Sequence, residues 1–228
     1  MWLGEQADPD WFPPLEQALR EPPGLLAAGG DLSPKRLLAA YERGVFPWYS
    51  AQQPILWWSP DPRMVLFPEE FNCSRSLRKT LRRGCYTTGV DTAFGATIRA
   101  CAAPRRTGPD TWLNGDMIAS YERLHELGFG HSIETYAADR LVGGLYGIQL
   151  GQVFFGESMF SAGRDASKVA LARLVEECRA RDIQVIDCQV ASAHLASLGA
   201  REVSRSEFVA LLRRYARRSP SGRWAAAA

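Results

Sequence analysis

Asp187 and Gln189 stand two residues apart in Ile183 to Val190, a run that is apolar except at Gln184, Asp187, Cys188 and Gln189. Successive strand side chains alternate faces, so a strand over this run points Asp187 and Gln189 to one side. An ionised carboxylate is costly to bury without partners. A second acid, Glu157, follows Gly156 just beyond a strand expected to end at Phe155. The three form an acid–amide–acid set framed by aromatic residues. Such a set marks a candidate site; a hydrogen-bonded structural Asp is the competing explanation. Covalent nucleophilic catalysis has no support, because no GxSxG elbow occurs and no Cys has a recognisable His partner. Walker A and GxGxxG loops are also missing. Arg140-Leu141-Val142-Gly143-Gly144-Leu145 is one residue short of the RxxGxG/A loop with which acyl-CoA N-acyltransferases bind pyrophosphate. It fails at Leu145, and it precedes a strand rather than opening a helix.

The elements that must hold these residues follow from periodicity. Val153 to Phe155 reads as a strand, Ser167 to Arg181 as an amphipathic helix, and Ile183 to Val190 as the next strand. Leu141 to Gln149 turns through Leu150-Gly151 into Val153, an antiparallel hairpin. Ser132 to Tyr136 is a further strand, and Asp116 to Leu127 a helix that Gly128 ends. Met64 to Phe67 begins this larger unit. The first 60 or so residues differ in texture, with Trp11-Phe12-Pro13-Pro14, Phe46-Pro47-Trp48-Tyr49 and Trp57-Trp58-Ser59-Pro60. One helix is clear there: Asp31 or Ser33 caps it, Pro34 opens it and Gly44 closes it. The expected fold class is α+β, with a small N-terminal domain over residues 1–61 and a larger domain with a mixed sheet over 62–228.

Composition narrows the class. The 228 residues are 46% hydrophobic, enough for a packed core, and the net charge is only +2. No apolar run approaches the roughly 18 residues that a membrane span needs, and the acidic start MWLGEQADPD lacks a signal core. A cytoplasmic protein with no membrane partner is expected. The five cysteines have no CxxC spacing and there are three histidines, so neither a disulfide framework, a metal site nor a cofactor is expected. No heptad pattern occurs, and a monomer is expected.

The modest average hides a charged stripe. On a helix over SRSLRKTLRR, Arg75, Arg78, Lys79, Arg82 and Arg83 fall within an arc of about 140°, with Leu77 and Leu81 opposite. No acid interrupts it. A solvated basic face is one explanation; contact with a phosphate backbone is the other. Arg105 and Arg106 extend the stripe. A weaker cluster, Arg213, Arg214, Arg217 and Arg218, ends a C-terminal helix over residues 206–218, where cations are common anyway.

GGDLSPKRLLAAYERGVFPWY, WWSPDPR, Thr111-Trp112-Leu113-Asn114, Tyr121, FFGESMFS, ASKVAL and IDCQV with HLASLGA resemble the leucyl/phenylalanyl-tRNA–protein transferases, in order and spacing, from about Trp11 to Arg214. The resemblance implies an enzyme that moves Leu, Phe or, less well, Met from aminoacyl-tRNA to the N-terminal Arg or Lys of a protein, marking it for degradation by the N-end rule. It implies a larger domain of the acyl-CoA N-acyltransferase type. It makes Asp187 and Gln189 the central pair and Glu157 the partner of the acceptor's basic side chain. Leu145, Phe154, Met159 and Ile186 become the donor side-chain pocket, with Leu145 where Met is expected. Trp48, Trp112 and Tyr121 lie near the tRNA 3′ adenosine, and the Arg75 to Arg83 stripe tracks the acceptor stem. The other classes to weigh are an acyl-CoA-dependent N-acyltransferase and a non-enzymatic RNA-binding module.

Overall fold

The computed structural model describes residues 1–4, 7–103, 113–222 and 224. Two sheets organise them. The first has the order β1 (Trp2–Leu3), β2 (Leu25–Gly29), β4 (Leu56–Trp58), β3 (Phe46–Pro47). Helix α1 (Pro34–Glu42) follows β2. Ser33 accepts a hydrogen bond from the Arg36 N–H and Pro34 opens the first turn, as the sequence pattern indicates.

The second sheet has seven strands in the order β11 (Arg201–Val203), β5 (Arg63–Leu66), β10 (Val185–Gln189), β9 (Val153–Ser161), β8 (Arg140–Leu150), β7 (Gly130–Ala137), β6 (Thr87–Val90). Only β9 and β10 pair in parallel, so the sheet is mixed and the fold class is α+β. The parallel pair needs a crossover, supplied by α5 (Ala166–Ala180). That helix lies close over β8: a Cβ on Gly143 would sit 2.5 Å from the Ala166 Cβ. The Gly143-Gly144 pair, which resembled a fragment of a pyrophosphate loop, therefore lies inside a strand and admits a helix.

Four further helices complete the larger unit. They are α2 (Arg75–Arg82), α3 (Phe94–Ala102), α4 (Gly115–Glu126) and α7 (Arg205–Tyr215), with the short α6 (Ala193–Ser197) between β10 and β11. Asn114 caps α4 by accepting from the Met117 N–H. The strand expected to stop at Phe155 continues to Ser161, because β8 offers a partner along its whole length. Trp224 is buried, stacks on His131 at 4.6 Å, and donates its indole N–H to Gln149 at 2.9 Å. His131 in turn bonds Asp91 and Ser221, each at 2.7 Å. Residues 225–228 lie outside the described residues.

One apolar cluster runs through both sheets. It joins Leu3, Leu26, Tyr41, Phe46 and Trp57 to Tyr121, Tyr146, Phe155, Val185 and Phe208. The chain position 61/62 is thus bridged by continuous packing. A second cluster, on the other face of the larger sheet, holds α5 against Leu66, Leu145, Phe154 and Ile186.

Candidate active site

The expectation of strict alternation along β10 fails at one residue. Val65 pairs with Asp187 and Met64 with Gln189, so Cys188 is an extra residue in the ladder. Gln189 takes the left-handed conformation, φ 65°. The neighbouring strand carries a second bulge. Gly147 pairs with Gly156 and Tyr146 with Ser158, leaving Glu157 as the extra residue. Bulges re-aim side chains and end regular pairing. The two bulged residues end the parallel β9–β10 pair, and Gln189 Nε2 lies 2.9 Å from Glu157 Oε1. Gly147 is required here, since a Cβ on it would meet the Phe154 ring at 2.5–2.7 Å.

Glu157 is 8% exposed. Tyr121, from α4, donates to its Oε2 at 2.8 Å, and the Tyr41 hydroxyl, from α1, lies 2.8 Å from that of Tyr121. Burial raises the Glu157 pKa to about 7; the Asp187 charge adds to the rise, and the Tyr121, Tyr41 and Gln189 hydrogen bonds oppose it. Burial likewise holds the Tyr41, Tyr121 and Tyr146 hydroxyls well above their usual pKa.

Asp187 has a different partner from the one its position suggested. Its carboxylate is fully buried and forked by Arg63, with Nε at 2.8 Å from Oδ1 and Nη2 at 2.7 Å from Oδ2. It reaches Gln189 only through the backbone N–H, at 2.9 Å. Both oxygens of this carboxylate are thus taken up by the Arg63 fork. Removing one partner of such a buried pair costs about 3–5 kcal/mol.

A cavity of about 300 Å³ opens in front of this group. Leu145, Met159 and Ile186 line it, together with Leu171 and Leu174 of α5, which pattern reading did not single out. Phe154 does not line it; it belongs to the same apolar cluster, but its ring lies 5.7 Å from that of Trp224. Trp48, 44% exposed, stands at the rim with Val190 and His194. Tyr121 is 1% exposed, so no ring face is free for a base to stack on; its hydroxyl serves Glu157 instead. Trp112, Arg105 and Arg106 lie outside the described residues.

Arg75, Arg78, Lys79, Arg82 and Arg83 are all exposed, and no ion pair joins them to another described residue. Leu77 anchors α2. Leu81, expected beside it, is 39% exposed. Helix α2 packs on α5, whose Leu171 and Leu174 reach the cavity, so the basic face is one helix away from it. Arg218, by contrast, is bound to Asp10 and Glu42 and holds the C-terminal segment in place. No group of three His, Cys, Asp or Glu that could hold a metal occurs among the described residues, nor does a helix long and apolar enough to cross a membrane.

The family model for leucyl/phenylalanyl-tRNA protein transferase matches residues 65–213, and that for its N-terminal domain matches 30–61. The chain belongs to the leucyl/phenylalanyl-tRNA–protein transferase family. A transferase of that name from Aromatoleum aromaticum is 55% identical over 98% of this chain and 93% of its own. One from Nitrosospira multiformis is 56% identical over 91% and 88%. Among solved structures, a GCN5-related N-acetyltransferase from Kribbella flavida aligns at a TM-score of 0.40 and 11% identity, over 75% of this chain and 61% of its own. Likeness at that level carries no weight for the larger domain. Membership of the family makes the chain an aminoacyltransferase.

Proposed function

We propose that this enzyme transfers Leu, Phe and, less well, Met from aminoacyl-tRNA to the N-terminal Arg or Lys of proteins in the cytoplasm, at the cavity in front of Glu157 and Gln189. The observation that carries this reading is the pairing of those two side chains on adjacent bulges, at the polar end of an otherwise apolar cavity.

The reaction is aminolysis of an ester. A neutral α-amine attacks the ester carbonyl, the C–N bond forms, the C–O bond to the tRNA ribose breaks, and the released 3′-terminal hydroxyl takes up the proton. Charge develops on the carbonyl oxygen in between and must be met by a fixed donor. The Gln189 amide has two N–H groups; Glu157 takes one and holds the plane of the other. Gln189 is thus the donor to the ester oxygen. Glu157 accepts one bond on each oxygen and retains lone pairs for a cationic side chain. That explains a demand for Arg or Lys at the acceptor N-terminus. Leu145, Met159, Leu171, Leu174 and Ile186 receive the donor side chain, and a pocket of this kind separates one methylene by only about 1–3 kcal/mol. Trp48 at the rim offers a face to the terminal adenosine, and base–aromatic stacking is worth about 1–3 kcal/mol. The α2 cations meet the acceptor stem.

The test is transfer of labelled Leu from Leu-tRNA to a peptide beginning with Arg, beside the same peptide beginning with Ala. Transfer to the Arg peptide alone is expected. Equal transfer to both would refute the Glu157 role, and transfer from leucyl-CoA in place of the tRNA ester would overturn the donor.

A further inference from the structure

Arg63 is the first residue of β5 and 1% exposed. Its guanidinium lies between two aromatic rings, 4.7 Å from the centroid of Phe46 in β3 and 4.7 Å from that of Phe208 in α7. Nη1 donates to the Gly44 carbonyl, just past α1, at 3.2 Å. The remaining edge forks onto Asp187. Asp187 then accepts the backbone N–H of Gln189, at the left-handed residue of the bulge.

We propose that Arg63 is a positioning residue for the transfer reaction: through Asp187 it fixes the bulge that presents Gln189 to Glu157. The proposal rests on the reading that Gln189 and Glu157 form the reacting centre. A non-Gly residue at positive φ is held there by its surroundings. Here the surroundings include one Asp187 oxygen, itself held by one arm of a planar fork. Arg63 does not line the cavity. Yet the same side chain is stacked on Phe46, which lines the cavity two residues before Trp48. One guanidinium therefore sets the Gln189 wall and the Phe46–Trp48 wall together.

Lysine keeps the charge but loses the fork and the planar stacking surface. For Arg63→Lys, kcat is expected to fall about ten-fold or more while KM for aminoacyl-tRNA stays within about two-fold, the pattern of a lost transition-state interaction. Circular dichroism on the same sample gives the folded fraction. Wild-type kcat in Arg63→Lys would overturn the proposal; so would a loss of rate that merely follows the loss of folded protein. If Arg63→Lys does not fold, Phe208→Leu removes one stacking ring and leaves the fork. A fall in kcat of about three-fold at unchanged KM is then expected, and wild-type kcat overturns the proposal. Gln189→Ala separates the two levels. Full activity there refutes the reacting centre itself; strong loss there with wild-type kcat in Arg63→Lys refutes the Arg63 role alone.

Discussion

Gln189 donates its side-chain amide to Glu157 across two bulged strands, at 2.9 Å, although the residues are 32 apart in sequence. The register of the parallel pair, which sets Asp187 opposite Phe155, carried two residues further sets Gln189 opposite Glu157. In the proposed reaction the contact ties the group assigned to the ester to the group assigned to the acceptor, so the two ends share one hydrogen bond.

The buried Glu157 makes the fold pH-dependent. Its pKa rises from 4.5 to about 7, so the folded chain binds this proton more tightly than the unfolded chain does. The group's contribution is complete below about pH 4.5 and is lost as pH climbs through about 7, up to roughly 3 kcal/mol in all. Glu157→Gln should remove that slope and be more stable at pH 8 by about 1–3 kcal/mol, with transfer to an Arg peptide reduced ten-fold or more. Thermal melts at pH 5 and pH 8 check it; wild-type and variant curves that run parallel between those values would contradict the burial argument.

Activity should carry the same signature. Glu157 must be charged to pair with Arg or Lys, so kcat/KM for the Arg peptide is expected to rise through about pH 7. The acceptor α-amine ionises near pH 8 in ordinary peptides and adds a second rise above it. A pH profile of Glu157→Gln should keep the second rise and lack the first.

Gln189→Ala removes the carbonyl donor and leaves the Arg63–Asp187 pair intact. Loss of one such donor elsewhere costs about 100- to 1,000-fold in kcat, and a similar fall is expected here. Single-turnover rates with saturating aminoacyl-tRNA measure it. A change of less than a few-fold would place the carbonyl donor elsewhere.

Much of the scaffold was legible from pattern. The Ser33 cap and Pro34 start of α1, the hairpin at Gly151 and the α5 crossover follow from local rules. The site was legible as a set of residue types but not as a geometry. Each bulge is a single extra residue in an apolar run, and periodicity does not register it. The partner of Asp187 is 124 residues away; WWSPDPR contains it, but nothing local distinguishes Arg63 from a surface cation. Leu171 and Leu174 follow the helical spacing of any core face, which concealed them, and Tyr121 looked available because aromatic rings of its type stack on bases elsewhere.

The α2 stripe gives a test on the tRNA side. Reversing charge at Arg75, Arg82 and Arg83 should raise KM for charged tRNA and spare a minimal aminoacyl-adenosine donor. Each lost phosphate contact lowers the salt slope of binding by about one. Binding titrations from about 50 to 200 mM salt read this out. Equal damage with both donors would mean that α2 serves the fold and not the nucleic acid.

The α5 wall decides donor size. Leu174→Phe fills part of the 300 Å³ cavity and should lower kcat/KM for Phe-tRNA more than for Leu-tRNA, by about ten-fold in their ratio. Competition between the two charged tRNAs measures that ratio, and an unchanged ratio would take Leu174 out of the pocket.

The apolar cluster that crosses from one sheet to the other has a consequence for traffic. Swinging the first sheet away would pull the Tyr41 ring off Phe155, now 4.9 Å distant, and break the Tyr41–Tyr121 bond that supports Glu157. The two sheets therefore do not work as jaws. Three exposed side chains border the cavity, Trp48, Val190 and His194, and a bulkier residue at one of these doorposts is expected to slow substrate passage without touching the chemistry.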